Sequence, residues 1–326
     1  LDGQFTLAAG AFSSDGERSR QTGEEVGLDP ARTYSSYEEM VRAEAALPHD
    51  ERIEIVSIVT PNHLHFPVAR SFLEAGFHVV CDKPLTTTLE DAETLCRMTA
   101  EGDHIFAVTH NYTGYPMVKE ARERVRSGSL GPVRKVVVEY SQGWLATLLE
   151  AEGNQGAGWH KQAEWRTDPG RAGISSALGD IGSHAHNLTR YVTGLEIESL
   201  FADLGTLVSG RALEDDATVL LHFEGGARGV LLASQISAGE RNHLRLRVYG
   251  TEGGLDWNQE IPDRLRVMAG DGSERILHVG GSDLSARTQA HTRLPGGHPE
   301  GFIAAFANLY RNVARTLRVR QGGAEP

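Results

Sequence analysis

Short unbroken apolar runs alternate with stretches of helical period over the first third of the chain, the pattern of a parallel sheet with crossover helices. It predicts strands at Phe5 to Phe12, Ile53 to Thr60, His78 to Cys81 and Ile105 to His110. Val79, Val80 and Cys81 follow one another without a polar break, as in a strand covered on both faces. Leu64, Val68 and Phe72 fall at helical spacing, with Pro67 tolerable in a first turn. Leu89, Ala92, Cys96 and Thr99 mark one side of the next helix, which Thr88 and Asp91 start as a capping box.

After Tyr112 to Pro116 the rhythm changes. A helix from Met117 to Arg126 leads into a strand through "VRKVVVEYSQGW", and longer strands follow without intervening helices. They are expected at Leu200 to Val208, Ala217 to Phe223, Arg228 to Gln235, Leu244 to Tyr249, Leu265 to Met268 and Arg275 to Val279. The glycine-rich segments "EGGAR", "GTEGG" and "GDGS" read as hairpin turns between them. Two helices are expected here, near Asp180 to Val192 and near Pro299 to Leu317, in an α+β domain with a mostly antiparallel sheet.

A length of 326 residues argues for two domains, because single cores stop growing near ~250–300 residues. The net charge of -12 argues against a nucleic-acid partner, which needs a basic face. No run approaches the ~18 apolar residues of a membrane span, so no membrane association is expected. Cys81 and Cys96 are the only cysteines; they give no disulfide framework, and a reducing cytoplasm is the expected setting.

Lys83 stands at the carboxyl end of the third strand, the edge of an open α/β sheet where ligands bind. Thr60, Pro61 and Asn62 form the corresponding loop after the second strand. Asp180 and His184 are four apart and so share one face of a helix, where a carboxylate orients an imidazole that takes a proton at neutral pH. The pairs His63/His65 and His184/His186 do not make a metal site, since residues two apart on a helix diverge and no further ligands complete the set; no metal is expected. The glycine fingerprint of a dinucleotide site is absent near the start.

In this order, the motifs resemble those of the Gfo/Idh/MocA family of nicotinamide-dependent sugar and polyol oxidoreductases, over nearly the whole chain. Asp82, Lys83 and Pro84 match the family's Glu-Lys-Pro, with aspartate for glutamate; Asp180 and His184 match its Asp-x-x-x-His. Thr60, Pro61 and His65 match Thr-Pro-x-x-x-His, and Trp165 with Arg166 matches a Trp-Arg pair of some members. The resemblance implies an α/β Rossmann domain over residues 1–113, incomplete at its N-terminus. Over residues 114–326 it implies an α+β domain for substrate binding and oligomerisation, whose large open antiparallel sheet forms homodimers or homotetramers. The family's first strand and glycine loop are then expected upstream of Leu1, with poor cofactor binding by the chain as written. The end of the chain is expected to stop short of the helix that returns to the Rossmann domain.

The resemblance also assigns roles. Lys83 donates to the substrate hydroxyl and steadies its developing negative charge, His184 is the general base, and Asp180 orients it or touches substrate. Ser13, Ser14, Arg18, Thr60, Pro61, Asn62, His65, Asp82, Lys83 and Asn111 are expected at the cofactor, with Trp165 and Arg166. Asp15 suits a free ribose, whereas serine beside Arg18 and Arg20 suits a 2′-phosphate, so the cofactor is NAD or NADP with a lean to NAD. Tyr112, His160, Arg166 and His298 join Lys83, Asp180 and His184 at the substrate, a sugar or cyclic polyol; Lys161 adds a further donor. Two alternatives remain open: an NAD-dependent glycosidase on the same fold, and a non-catalytic sugar- or nucleotide-sensing protein.

Overall fold

The computed structural model describes residues 2–151 and 158–322, with the side chains of 151 and 158–161 outside the description. His160 and Lys161 therefore lie outside the described residues as side chains. Two compact units emerge: one runs to Thr109 and resumes at Tyr310, and the other is His110–Leu309. This differs from the expected division at 113/114, chiefly because the end of the chain groups with the first unit.

In the first unit β1 (Ile55–Ile58), β2 (His78–Cys81) and β3 (Phe106–Val108) form a parallel sheet in that order. The β1–β2 register sets Ile55 against His78 and Ile58 against Cys81. Successive side chains of β2 point to opposite faces. Val79 and Cys81 enter one apolar cluster with Val68, Phe72 and Leu73, while Val80 enters another with Val313 and Leu317. Helices α1 (Gly16–Glu25), α2 (Tyr37–Ala45), α3 (His65–Glu74) and α4 (Leu89–Glu101) belong to this unit, and Thr88 caps α4 through Asp91 N at 3.2 Å.

Three expectations need correction here, and one helix was not foreseen. Phe5 to Phe12 is not a strand: only Gly10 pairs, as a bridge to Thr33, so the segment lacks the ladder that defines one. Helix α1 carries no large apolar residue and buries only Ser19 and Gly23, which is why periodicity missed it; Asp15 caps it, and Ser19 Oγ bonds Tyr34 O at 2.6 Å. In α4 the inward residue is Leu95, while Cys96 and Leu89 are exposed, because the first turn projects its apolar residue outward. The helix that returns to the first unit is present in the chain: from Tyr310 on, α10 (Phe302–Arg320) covers the second face of the three-stranded sheet, with Tyr310 Oη 2.6 Å from Ser57 Oγ.

Among the described residues the second unit contains eight strands: β4 (Val133–Ser141), β5 (Ile197–Gly205), β6 (Asp216–Phe223), β7 (Arg228–Ser234), β8 (His243–Gly250), β9 (Gly253–Asn258), β10 (Arg264–Ala269) and β11 (Glu274–His278). Their order is β11-β10-β9-β8-β4-β7-β6-β5, antiparallel throughout except for the β4–β7 pair. Helices α5 (Pro116–Arg126) and α8 (Ser183–Thr193) supply Met117, Ala121, Ala185 and Leu188 to a core with Val136, Val138, Leu246 and Trp257. Short helices α6 (Gly158–Arg166), α7 (Pro169–Ala172) and α9 (Ala286–Gln289) complete the unit. Strand β9 was read as part of a turn; its glycines reflect close packing instead, since a Cβ on Gly253 would meet Met268 O at 2.3 Å.

Candidate active site

The first unit brings its chemistry to the carboxyl ends of β1, β2 and β3. Lys83 follows β2, half-buried, and the Lys83–Pro84 peptide bond is cis. Asp82 N bonds Ile58 O at 2.9 Å, tying the end of β2 to β1. Its carboxylate accepts from Thr109 Oγ1 at 2.6 Å, tying it to the residue just beyond β3. The departure from glutamate thus gives a short acid bonded to the sheet end itself.

His65 is 1 % exposed, with Nδ1 2.7 Å from Pro84 O and Nε2 2.8 Å from Thr60 O. Both ring nitrogens face backbone carbonyls, so His65, expected at the cofactor, ties together the loops that carry Thr60 and Pro84. Thr60 offers a different signal: its hydroxyl is buried with no protein partner, while Pro61 and Asn62 are half-buried beside it. At the ribose end, Asp15 Oδ1 accepts from Glu17 N at 2.9 Å and Arg18 N at 3.2 Å. One carboxylate oxygen is thereby committed to capping α1. Ser13 Oγ accepts from Asp15 N, and Ser14 and Arg18 are exposed.

The second unit carries Asp180 and His184. The expected regular helix over Asp180 and His184 is interrupted by a π-helical turn, Leu178–Gly182, that runs directly into α8. Such turns recur at functional sites. Four residues are slightly more than one turn of an α-helix and slightly less than one of this wider helix, so the two positions still return to nearly the same side. The turn is held from outside: Glu214 Oε1 accepts from Ser175 Oγ, Ser176 N and Leu178 N at 2.6, 2.9 and 3.1 Å.

Asp180 Oδ2 accepts from Gln235 Nε2 at 2.9 Å and lies 3.4 Å from Arg166 Nε. Arg166, expected at cofactor and substrate, thus reaches the carboxylate, with its guanidinium 4.1 Å from the centre of the Trp165 ring. His184 is 7 % exposed and sits among aromatic rings, 4.9 Å from Tyr112, 5.6 Å from His110 and 6.2 Å from Tyr140 between centroids. The Tyr112 hydroxyl, expected at the substrate, bonds Tyr140 and Asn242. Asn111 is 3 % exposed and its Nδ2 has no protein partner, a buried donor suited to a ligand. His298 is exposed and bonds Pro295 O within its own turn. Gln235, Tyr140 and Asn242 were missed from sequence, since none belongs to a motif and each acts through a residue distant in the chain.

Known proteins resemble the chain over both units. A family profile described as "Oxidoreductase family, NAD-binding Rossmann fold" covers residues 2–123, and one described as "GFO/IDH/MocA C-terminal domain" covers residues 118–256. An uncharacterized oxidoreductase, YfiI, from Bacillus subtilis is 34% identical over 312 residues, 95% of this chain and 77% of its own length. A levoglucosan dehydrogenase from Pseudarthrobacter phenanthrenivorans is 28% identical over 77% of this chain and 67% of its own. The crystal structure of an inositol dehydrogenase homolog from Azotobacter vinelandii, complexed with NADH and myo-inositol, superposes with a TM-score of 0.87 at 34% identity, covering 98% of this chain and 80% of that one. With a Rossmann unit that binds nicotinamide dinucleotide and a large, mostly antiparallel sheet after it, the chain belongs to the Gfo/Idh/MocA family of oxidoreductases.

Proposed function

We propose that the protein oxidises a hydroxyl of a sugar or cyclic polyol, with Lys83 as the donor to the substrate oxygen and His184 as the general base. The observation that carries this reading is the buried His184 imidazole on the same helical run as Asp180, whose carboxylate is held by Gln235 and Arg166. A buried imidazole shielded by aromatic rings takes a proton from substrate rather than from bulk water. The Lys83 ammonium lowers the cost of negative charge on the oxygen as its proton leaves. When bound, the nicotinamide accepts the hydride. Thr60 and Asn111, each with a buried polar atom lacking a protein partner, would hold the cofactor, and Asp15 would face its ribose and favour NAD.

Two relatives support the substrate class: one is named a levoglucosan dehydrogenase, and one solved homolog holds myo-inositol. Copies of the chain associate through the open face of the eight-stranded sheet, as a homodimer or homotetramer. The test is a screen of cyclic polyols and anhydrosugars by NADH formation, followed by Lys83→Ala and His184→Ala on the best substrate. Loss of a general base lowers turnover ~10²–10⁴-fold and loss of an oxyanion donor ~10²–10³-fold, with cofactor affinity little changed. Near-normal turnover in both variants would overturn the assignment, and oxidation without net NADH accumulation would favour the glycosidase.

A further inference from the structure

Tyr112 and Tyr140, whose rings lie against His184, belong to a hydrogen-bond chain with Asn242, Gln142 and Trp144, and its direction can be worked out from one end. An indole nitrogen only donates, and Trp144 Nε1 donates to Gln142 Oε1 at 2.9 Å. Gln142 therefore turns its amide nitrogen to Asn242, donating to Oδ1 at 2.8 Å. The same oxygen accepts from the Tyr140 hydroxyl at 2.7 Å. Since that uses the one proton of Tyr140, the contact between the two tyrosine hydroxyls has Tyr112 as donor. Asn242 Nδ2 donates back to the Tyr112 oxygen at 3.2 Å and closes the cycle.

Tyr112, Tyr140 and Asn242 each give and receive within a closed triangle, an arrangement in which the bonds strengthen one another. Burial pushes both phenols above the ordinary tyrosine range, so their protons stay where the triangle puts them. Both tyrosines are also nearly inaccessible, at 4 % and 3 % exposed. Their rings meet the His184 imidazole at interplanar angles of 78° and 58°, the first nearly edge to face.

We propose that Tyr140 and Asn242 are positioning residues for the base: they lock the Tyr112 ring against His184 and fix the plane of its imidazole. The tyrosine hydroxyls then serve as neither acid nor base toward substrate. This rests on the reading of His184 as the general base, because a base must hold its nitrogen in line with the hydroxyl it deprotonates. A misplacement of ~1 Å costs on the order of 10²-fold in rate.

Two variants test it. Tyr140→Phe removes one oxygen and keeps the ring; Asn242→Asp keeps the acceptor oxygen and removes the donor to Tyr112. In each, kcat is expected to fall ~10-fold to ~10²-fold with the KM for cofactor nearly unchanged. The His184 ring resonances, followed by NMR, are expected to shift and broaden. Wild-type kcat together with unshifted, sharp His184 resonances in both variants would overturn the proposal. Asn242 is half-buried, so Asn242→Asp gives the answer if Tyr140→Phe does not fold. A His184→Ala enzyme with normal turnover would sink the base assignment alone; altered His184 resonances in Tyr140→Phe would still support the locking role.

Discussion

Asp15 caps α1 and, in the proposed reading, faces the cofactor ribose, and a single substitution can separate the two. Asp15→Asn keeps a capping oxygen and removes the charge, so the KM for NAD is expected to rise while thermal stability holds; Asp15→Ala should also lose about 1 kcal/mol of helix stability. Arg18→Ala should leave the NAD reaction nearly unchanged. Kinetics with NAD and NADP beside thermal melts check this, and a selective loss with NADP in Arg18→Ala would reverse the cofactor preference. Cys81 offers a test in alkaline solution. Burial, with a smaller effect from Asp82, pushes its thiol from 9.0 up to about 12. The folded state thus keeps a proton that the unfolded chain releases, so this contribution to stability is intact below pH 9.0 and is lost as pH rises toward about 12. Denaturant unfolding at neutral and alkaline pH should show a shallower alkaline loss in Cys81→Ala than in the wild type. Alkylation at neutral pH should label exposed Cys96 and spare buried Cys81.

Among the elements, the π-helical turn before α8 depends on a residue outside it. Glu214 is 9 % exposed and supplies the acceptor for two backbone N–H groups and a hydroxyl at the start of that turn. Glu214→Ala leaves those donors buried without a partner, at a cost of about 1–3 kcal/mol each at most. Because the turn carries Asp180 into α8, both a lower melting temperature and a lower kcat are expected, whereas Glu214→Gln should recover much of both. Equal activity in Glu214→Ala and wild type would show that the turn keeps its shape without the cap. A comparable buried acid serves α2: Glu44 is 0 % exposed and accepts from Arg32, Tyr34 and Ile53 N. The apolar pattern of α2 gave no hint of it, since a buried carboxylate reads as a surface residue until its partners are known.

For the whole molecule, the open sheet face in the second unit is the informative feature. Phe201, Leu220, Val230 and Val137 lie opposite one another across β5, β6, β7 and β4. Phe201 is 68 % exposed and Leu220 46 %, and the other face of β6 supplies Val219 and Leu221 to the core. Farther along the sheet the pairs Arg245–Asp256 and Arg247–Glu139 turn polar. An apolar strip beside ion pairs fits the second copy of the chain proposed above. Phe201→Glu with Leu220→Glu should lower the mass measured by light scattering to that of a smaller assembly, with the far-UV spectrum unchanged. A wild-type protein that is monomeric at working concentration would end this idea.

The chain by itself determined the alternation of strand and helix in the first unit, the sheet-rich second unit and the motifs that resemble the family's. Those signals are local: an apolar run such as Val79 to Cys81, a cap such as Thr88, a Lys-Pro after a strand, an acid and a histidine four apart. Tertiary structure decided the rest, because it depends on partners far away in sequence. Gln235 reaches Asp180 across 55 positions and Asn242 reaches Tyr112 across 130, and only the packing of helical turns against the strand ends brings them together. Segment 5–12 shows the same limit from the other side: its composition suits a strand, yet pairing at Gly10 alone does not make one. The phase of α4 and the return of α10 likewise follow from which faces the sheet leaves to be covered, a quantity no single stretch of sequence contains.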